Sequence, residues 1–523
     1  MSRRRFILEN TLARKKTSDR HRLDLTVCIV IILATFVTLY VRKETQRTPN
    51  YDEYLYAAQT REYFRGITSG IHQFVHAWRL YGHDSPLLPA LSLPIAAFSN
   101  NPDRLILVGL PLLLCLFFVM ADLALRIGFS RRESQWAALA TVVLPCTLGY
   151  AVMFHFALLT TVLTAGCLSS YLASDRFRST KVSMVFGLLL ALLSLSRTVS
   201  LVYLAALAVP IMADQFFLRE NIKKRLLNIF LTFIVAITVA GPWWLVCGRD
   251  TINYLTDAGY AQSSGFIKKS SALDIIYNRM YITLGDIGLI LGIFMLLVFA
   301  GLKRKMLQGK YRELAITTGV VLTGMLCLAS SSNAGTAFAL PLISLFALIS
   351  MNVLRQMQVV KRIGVGLLIF TFIFLMFGVG SPMLNGIPLW VSSLPSEEAH
   401  RAALGGSYKA SPEMLSLDVL ALINNTQTLV LRDDDILNIN TLQYFAQKPG
   451  ATNLVTPSYA RNYLDPQDLV GSQFVVSGRS PVTLHDTINL ESTDAVLRRA
   501  GFHIIFARTL SPVNRLDLWY RGE

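Results

Sequence analysis

An adjacent acidic pair, Asp52-Glu53, stands between two tyrosines in Tyr51-Asp52-Glu53-Tyr54. A partly desolvated carboxylate has its pKa raised towards working pH, and beside an acceptor hydroxyl it can serve as a general base. Alone, such a pair also fits a solvated turn. Thirty residues on, Tyr81-Gly82-His83-Asp84-Ser85-Pro86-Leu87 adds an imidazole and a third carboxylate. Arg197, in Ser194-Leu195-Ser196-Arg197-Thr198, is a lone guanidinium between two apolar runs. A cation there is costly unless backbone, carboxylate or phosphate pairs with it. Its planar fork suits bidentate phosphate binding, and its other reading is an interfacial side chain reaching for water. Gly241-Pro242-Trp243-Trp244 closes another apolar run ahead of a segment holding Tyr254, Tyr260, Lys268, Lys269, Arg279 and Tyr281. Those side chains could clamp an amphiphilic, phosphate-bearing substrate, although tryptophans at a helix end also form aromatic belts.

The elements that must position these groups are membrane helices. Of 523 residues, 53% are apolar and 16% charged, and the mean hydropathy of +0.46 excludes a soluble globular enzyme. A span needs ~20 residues at ~1.5 Å each to cross a ~30 Å hydrocarbon layer. Apolar runs near that length, split at polar or turn residues, give eleven: 25–41, 105–125, 134–149, 154–173, 182–195, 199–213, 226–246, 287–302, 314–330, 335–354 and 363–380. The first is read as a retained span, because Arg42-Lys43-Glu44 follows it without a small-residue cleavage pattern. All six cysteines lie in or beside apolar runs, so no disulfide framework or thiolate metal site is expected.

The net charge of +16 is a topology signal and not a nucleic-acid patch. Segments 1–24, 126–132, 174–181, 214–225, 303–312 and 355–362 hold 26 Lys/Arg in 69 residues, and the alternate loops hold 12 in 114, which makes the first set cytoplasmic. An odd span count then puts residues 381–523 outside. That tail carries strand-length runs at Thr428–Arg432, Phe474–Ser477, Ile504–Ala507 and Leu516–Tyr520 among helix-like stretches such as Asp494–Arg499. The expected architecture is a polytopic α-helical membrane protein: a basic cytoplasmic arm over 1–24, a transmembrane catalytic domain over 25–380 with outer loops 42–104 and 247–286, and a small extracytoplasmic α/β domain over 381–523. The arm is placed to lie against anionic lipid.

Taken in order, these features resemble the GT-C superfamily of membrane glycosyltransferases, in particular the branch of protein O-mannosyltransferases and lipid A aminoarabinose transferases. The resemblance rests on Tyr51-Asp52-Glu53, Ser85-Pro86-Leu87, Ser196-Arg197-Thr198 and Pro242-Trp243-Trp244, and covers about residues 25–380. Two departures stand out. Many relatives open the fourth span with Asp-Ala-Leu-Leu, where this chain has His155-Phe156-Ala157-Leu158-Leu159; His155 either replaces the second acid or is a structural histidine. The Pro-Leu motif, often Lys or His followed by Pro-Pro-Leu, reads His83-Asp84-Ser85-Pro86-Leu87 here, which leaves His83 and Asp84 open as substrate-binding residues.

The resemblance implies transfer of a sugar, with inversion, from a polyprenyl-phosphate donor to an extracytoplasmic glycolipid, polysaccharide or protein. Asp52 would be the base, with Glu53 as its orienting neighbour or alternative. Arg197 would hold the donor phosphate, helped by Lys268, Lys269 or Arg279, and Tyr54, Trp243 and Tyr260 are further candidates for substrate contact. No cofactor is required by this chemistry, though a divalent metal would be compatible with it. A bacterial inner membrane is expected, with the N-terminus cytoplasmic and the C-terminus periplasmic. The competing classes are a transporter or lipid flippase, for which no inverted repeat is visible, and a polysaccharide polymerase or ligase. Reporter fusions after Arg176, Lys223 and Arg304 should read as cytoplasmic, and those after Asp257 and Gly405 as external; a cytoplasmic signal at Gly405 would break the odd span count.

Overall fold

The computed structural model describes residues 51–256 apart from His83, Asn100, Asn101 and Arg219, then 311–329, 336–355, 412–423, 426–431, 439–445, 454–455, 469–479, 490–511 and 514–522, with a few helical positions within 29–36 and at 366. The expected span 287–302, nearly all of 25–41 and of 363–380, the arm 1–24, and His83, Tyr260, Lys268, Lys269 and Arg279 therefore lie outside the described residues.

Residues 42–104 are expected as a loop, but the described part is mostly helical: α1 (Tyr51–Ser69), α2 (Ile71–Leu80), α3 (Leu87–Ala96) and α4 (Pro102–Leu105). The bundle follows. A 3₁₀ turn at Ile106–Val108 leads into α5 (Gly109–Arg126). The run 134–149 is not one helix. It divides into α6 (Arg131–Val142) and α7 (Pro145–Ala151) because Pro145 has no N–H to continue the ladder and holds Leu144 extended. The start of α6 is fixed by a reciprocal capping box between Ser130 and Glu133. Then come α8 (Phe156–Ala173), α9 (Thr180–Ser194) and α10 (Ser200–Phe216), with Arg197 in the break between the last two.

The helix expected over 226–246 is α11 (Ile222–Tyr254), which carries Pro242 internally and extends into the segment expected as an outer loop. The helices α12 (Tyr311–Ala329) and α13 (Thr336–Arg355) complete the described bundle. Among the described residues, three helices are long and apolar enough to cross a membrane: Ile106–Arg126, Phe156–Ala173 and Ile222–Tyr254. Shorter apolar helices accompany them at Leu87–Ala96, Thr180–Ser194, Ser200–Phe216 and Ala337–Asn352.

From Pro412 onward the described residues alternate helix and strand: α14 (Pro412–Ile423), β1 (Thr428–Val430), α15 (Ile439–Phe445), β2 (Leu454–Val455), β3 (Phe474–Arg479), α16 (Leu490–Arg499), β4 (His503–Ser511) and β5 (Asn514–Tyr520). The strands form one sheet in the order β2-β1-β3-β5-β4, with β1 parallel to both neighbours and β5 antiparallel to both of its own. All four strand-length runs read from the sequence are strands.

Lipid tails are as apolar as leucine, so helices in a membrane hold together by close packing and hydrogen bonds. Where α9 crosses α11, Thr232 donates to the Ser183 carbonyl at 3.0 Å and Asn228 donates to the Phe177 carbonyl at 2.6 Å. Gly187 lies one turn beyond Ser183, where an added Cβ would stand 2.5 Å from the Thr232 carbonyl oxygen. Gly187→Ala should therefore destabilise the bundle by about 1–3 kcal/mol, the usual cost of overpacking. A lower unfolding midpoint in detergent would register it, while Ala at the roomier Gly241 should change little.

Candidate active site

The site begins with α1. Its first turn carries the positive end of the helix dipole, which favours the carboxylates of Asp52 and Glu53 there. At about 100° per residue, Asp52, Tyr56, Gln59 and Tyr63 share one side of this helix, and Tyr54 and Arg61 occupy the opposite side. Glu53 is fully buried and accepts the Phe154 N–H at 2.9 Å, tying α1 to the turn that leads into α8.

That turn presents His155 as the N-cap of α8, with Nδ1 accepting from the Ala157 N–H at 3.2 Å. A neutral ring so engaged must carry its proton on Nε2, which lies 3.1 Å from Asp52 Oδ2. One histidine thus caps a helix and donates to a carboxylate.

Arg197 closes the constellation. The Ser196 hydroxyl holds its turn by bonding the Leu193 carbonyl at 2.8 Å and pairing with Ser200 and Thr160. The guanidinium is buried: Nη2 lies 4.0 Å from Asp52 Oδ2, Nη1 lies 3.6 Å from Asp84 Oδ1, and Nη1 donates to the Tyr56 hydroxyl. Its carbon sits 4.6 Å from the Phe156 ring centre and 5.5 Å from that of Tyr56, over which a cation is attracted.

The turn at 81–84 supplies Asp84, whose N–H bonds the Tyr81 carbonyl at 2.8 Å and whose carbonyl accepts from Gln59 at 3.3 Å. Pro86 is the N-cap of α3, and the Leu87 N–H donates to the Leu195 carbonyl at 3.1 Å, pinning this turn beside Arg197. The tryptophans of α11 brace the same break: Trp244 donates to the Ser194 hydroxyl at 3.3 Å, and Trp243 packs against Ala191, Leu195, Ala240 and Cys247.

The structure therefore brings together Asp52, Glu53, Asp84, His155 and Arg197 from four separate segments. Two further candidates, Trp243 and Tyr54, pack away from this group. Trp243 is 2% exposed in an apolar cluster, and Tyr54 is 4% exposed with its ring 5.2 Å from Tyr444 and 5.7 Å from Phe445. Sequence reasoning missed Tyr56, which the helical period would have found four residues after Asp52. Among the described residues, no group of three or more His, Cys, Asp or Glu is placed to hold a metal ion.

Asp52 is the accessible member. Its side chain is 24% exposed, against 5% for His155, 10% for Arg197 and 5% for Asp84. Burial pushes its pKa up, but the His155 hydrogen bond and the positive charge of Arg197 outweigh that and hold it below the usual carboxylate range.

Such a bundle is similar in fold to solved GT-C membrane glycosyltransferases, and three of its described helices are long and apolar enough to cross a membrane. ArnT from Cupriavidus metallidurans, a lipid A aminoarabinose transferase, matches over 94% of this chain and 97% of its own at a TM-score of 0.55 and 13% identity, both in its apo state and bound to undecaprenyl phosphate. The oligosaccharyltransferase of Archaeoglobus fulgidus, in apo form, covers 86% of this chain and 69% of its own, with a TM-score of 0.49 and 11% identity. No protein-family model and no curated protein sequence matches the chain. The likeness to ArnT is one of fold.

A lowered Asp52 pKa contributes stability above the ordinary carboxylate pKa, and that stability is lost as pH falls through the folded value. His155→Asn can still cap α8 but cannot donate as Nε2 does. This variant should raise the Asp52 pKa, so that acid destabilisation sets in at higher pH. Unfolding midpoints of the two proteins compared across the acid range would show the displacement, and superimposable profiles would refute the coupling.

Proposed function

We propose that this chain is a polyprenyl-phosphate-dependent glycosyltransferase of a bacterial inner membrane, acting on a hydroxyl acceptor on the periplasmic side. The observation that carries this reading is Asp52, held ionised and partly open next to a buried cation. His155 and Arg197 both approach Oδ2, which leaves Oδ1 for the acceptor. The acceptor oxygen attacks the anomeric carbon, its proton passes to Asp52, and the bond from that carbon to the phosphate oxygen breaks with its electron pair on the phosphate. A single displacement inverts the anomeric configuration.

Arg197 receives the charge that develops on the departing phosphate. Its separations from Asp52 and Asp84, 4.0 and 3.6 Å, are longer than the ~2.7–2.9 Å of a close charge-assisted hydrogen bond, so a phosphate can become its nearer anion. Glu53 orients, since its carboxylate already holds the Phe154 N–H. Lys268, Lys269 and Arg279 remain candidates for assisting the phosphate, and His83 and Tyr260 for contacting the substrate. The undecaprenyl phosphate bound by ArnT supports a lipid of that class as the carrier. Residues 1–24 and 381–523 are assigned as cytoplasmic arm and periplasmic domain on the charge bias of the loops.

Mass spectrometry of envelope glycolipids and glycans from cells with and without the gene should reveal the acceptor and the sugar. With purified protein, Asp52→Asn should lower turnover by about two to four orders of magnitude, the usual range for loss of a general base, while donor binding persists. Arg197→Ala should bind a polyprenyl-phosphate sugar poorly, and Arg197→Lys should keep part of that affinity. Equal donor affinity in wild type and Arg197→Ala would remove the phosphate role. A wild type that binds no donor over a broad panel would remove the transferase reading.

A further inference from the structure

The helix that carries Asp52 is anchored on its opposite side by the C-terminal region. Tyr54 is buried against Tyr444 and Phe445, with ring centres 5.2 and 5.7 Å apart. Two turns along the same side, Arg61 Nη1 donates to the Tyr444 carbonyl at 3.0 Å, and its guanidinium carbon lies 4.6 Å from the Tyr444 ring centre. All four contacts fall on α15, a helix of seven residues. Its Leu442 is fully buried in a cluster with Leu415, Val430, Val476 and Leu518, residues of the C-terminal sheet and of α14. One short helix therefore has one side in the core of the sheet region and the other on α1.

On α1 the two sides do different things. Tyr56 and Gln59 hold Arg197 and the Asp84 turn, and Tyr54 and Arg61, about half a turn round the helix, hold α15. The two turns of α-helix that carry these contacts are stiff. Displacement on one side is transmitted to the other.

We propose that α15 is a positioning element for the base: Tyr444 and Phe445, seated on Tyr54 and Arg61, fix α1 so that Asp52 meets His155 and Arg197, and turnover depends on that seat. This rests on the reading of Asp52 as the base. None of the four residues touches the reacting atoms. The C-terminal region thereby acts on catalysis through the back of the catalytic helix, apart from any contact it makes with an acceptor.

The test uses the full-length protein in detergent or nanodiscs, with Tyr444→Ala, Arg61→Ala, the double variant and Tyr444→Phe. Amide hydrogen exchange over residues 51–69 is read first, because it needs no substrate. Tyr444→Ala should speed exchange in the first turns of α1 at least several-fold, and Tyr444→Phe, which keeps the ring and the carbonyl, should restore protection. With a donor that wild type turns over, kcat should fall at least tenfold in Tyr444→Ala with donor affinity unchanged, and the double variant, which also loses the hydrogen bond from Arg61 to the carbonyl of residue 444, should lose more than Tyr444→Ala but less than the two single losses combined. Should Tyr444→Ala fail to fold, Arg61→Lys, which loses the planar stack and keeps the charge, is read in the same two ways.

Unaltered exchange in α1, or wild-type kcat in folded Tyr444→Ala, would overturn the proposal. Faster exchange in a protein whose wild type turns over no polyprenyl-phosphate sugar would uphold the seat and reject the transferase reading.

Discussion

The arrangement depends on one buried charge. A guanidinium taken out of water costs several kcal/mol unless carboxylates and hydrogen-bond acceptors surround it. Arg197 is 8% exposed, and its surroundings come from segments far apart in the chain: Asp52 and Tyr56 from α1, Asp84 from the turn before α3, and the Phe156 ring from the start of α8. None of them alone would make the position tolerable. The requirement to enclose this cation draws the helices of the 51–96 segment onto the membrane bundle. The Leu87 N–H on the Leu195 carbonyl and the two tryptophans of α11 then hold the turn from which the side chain projects.

A second polar cluster pins the far end of the same helices. Asp214, at the end of α10, pairs with Arg312 at 2.6 Å and Arg176 at 3.1 Å, and accepts from the Tyr171 hydroxyl at 2.5 Å; Arg176 also reaches Glu313 at 3.0 Å. Helix α8 thus has His155 at its N-terminus and Tyr171 near its C-terminus, each tied to a carboxylate from another helix. Between them it is largely buried and apolar, with the Thr160 hydroxyl paired to Ser196 and the Ser169 hydroxyl to Asp122 as further polar ties. Polar ties at both ends set the register that apolar packing leaves loosely specified.

Much of this was legible in the sequence where a signal is local. Apolar run length marks the helices 156–173, 180–194 and 200–216 to within a few residues, and shorter apolar runs mark the strands at 428, 474, 504 and 516. The break at Arg197 was readable because a cation interrupts two apolar runs. Local signals failed where a distant partner decides. Nothing near Tyr54 tells that its ring meets Tyr444, and the Pro-Trp-Trp motif reads as a membrane-surface belt until α9 is seen beside it. His155 reads two ways because its partners are one local and one distant: the Ala157 N–H takes one nitrogen, and Asp52, 103 positions earlier, faces the other. Asp84 likewise acquires meaning only through Arg197.

The length of α11 has a mechanical consequence. With 33 residues it is about 50 Å long at ~1.5 Å per residue, well beyond a ~30 Å hydrocarbon layer. Its upper end is where Cys247 meets the Trp78 carbonyl and Thr251 donates to the Gly82 carbonyl at 3.1 Å, two residues before Asp84. A helix of this length, fastened to the site at one end and apolar enough to cross a bilayer, has the proportions of a lever. Thinner or thicker lipid tilts such a rod to relieve hydrophobic mismatch, at a modest cost for each ångström. The Asp84 carboxylate facing Arg197 lies two residues from that fastening, so a change in the tilt of α11 would be felt at the site.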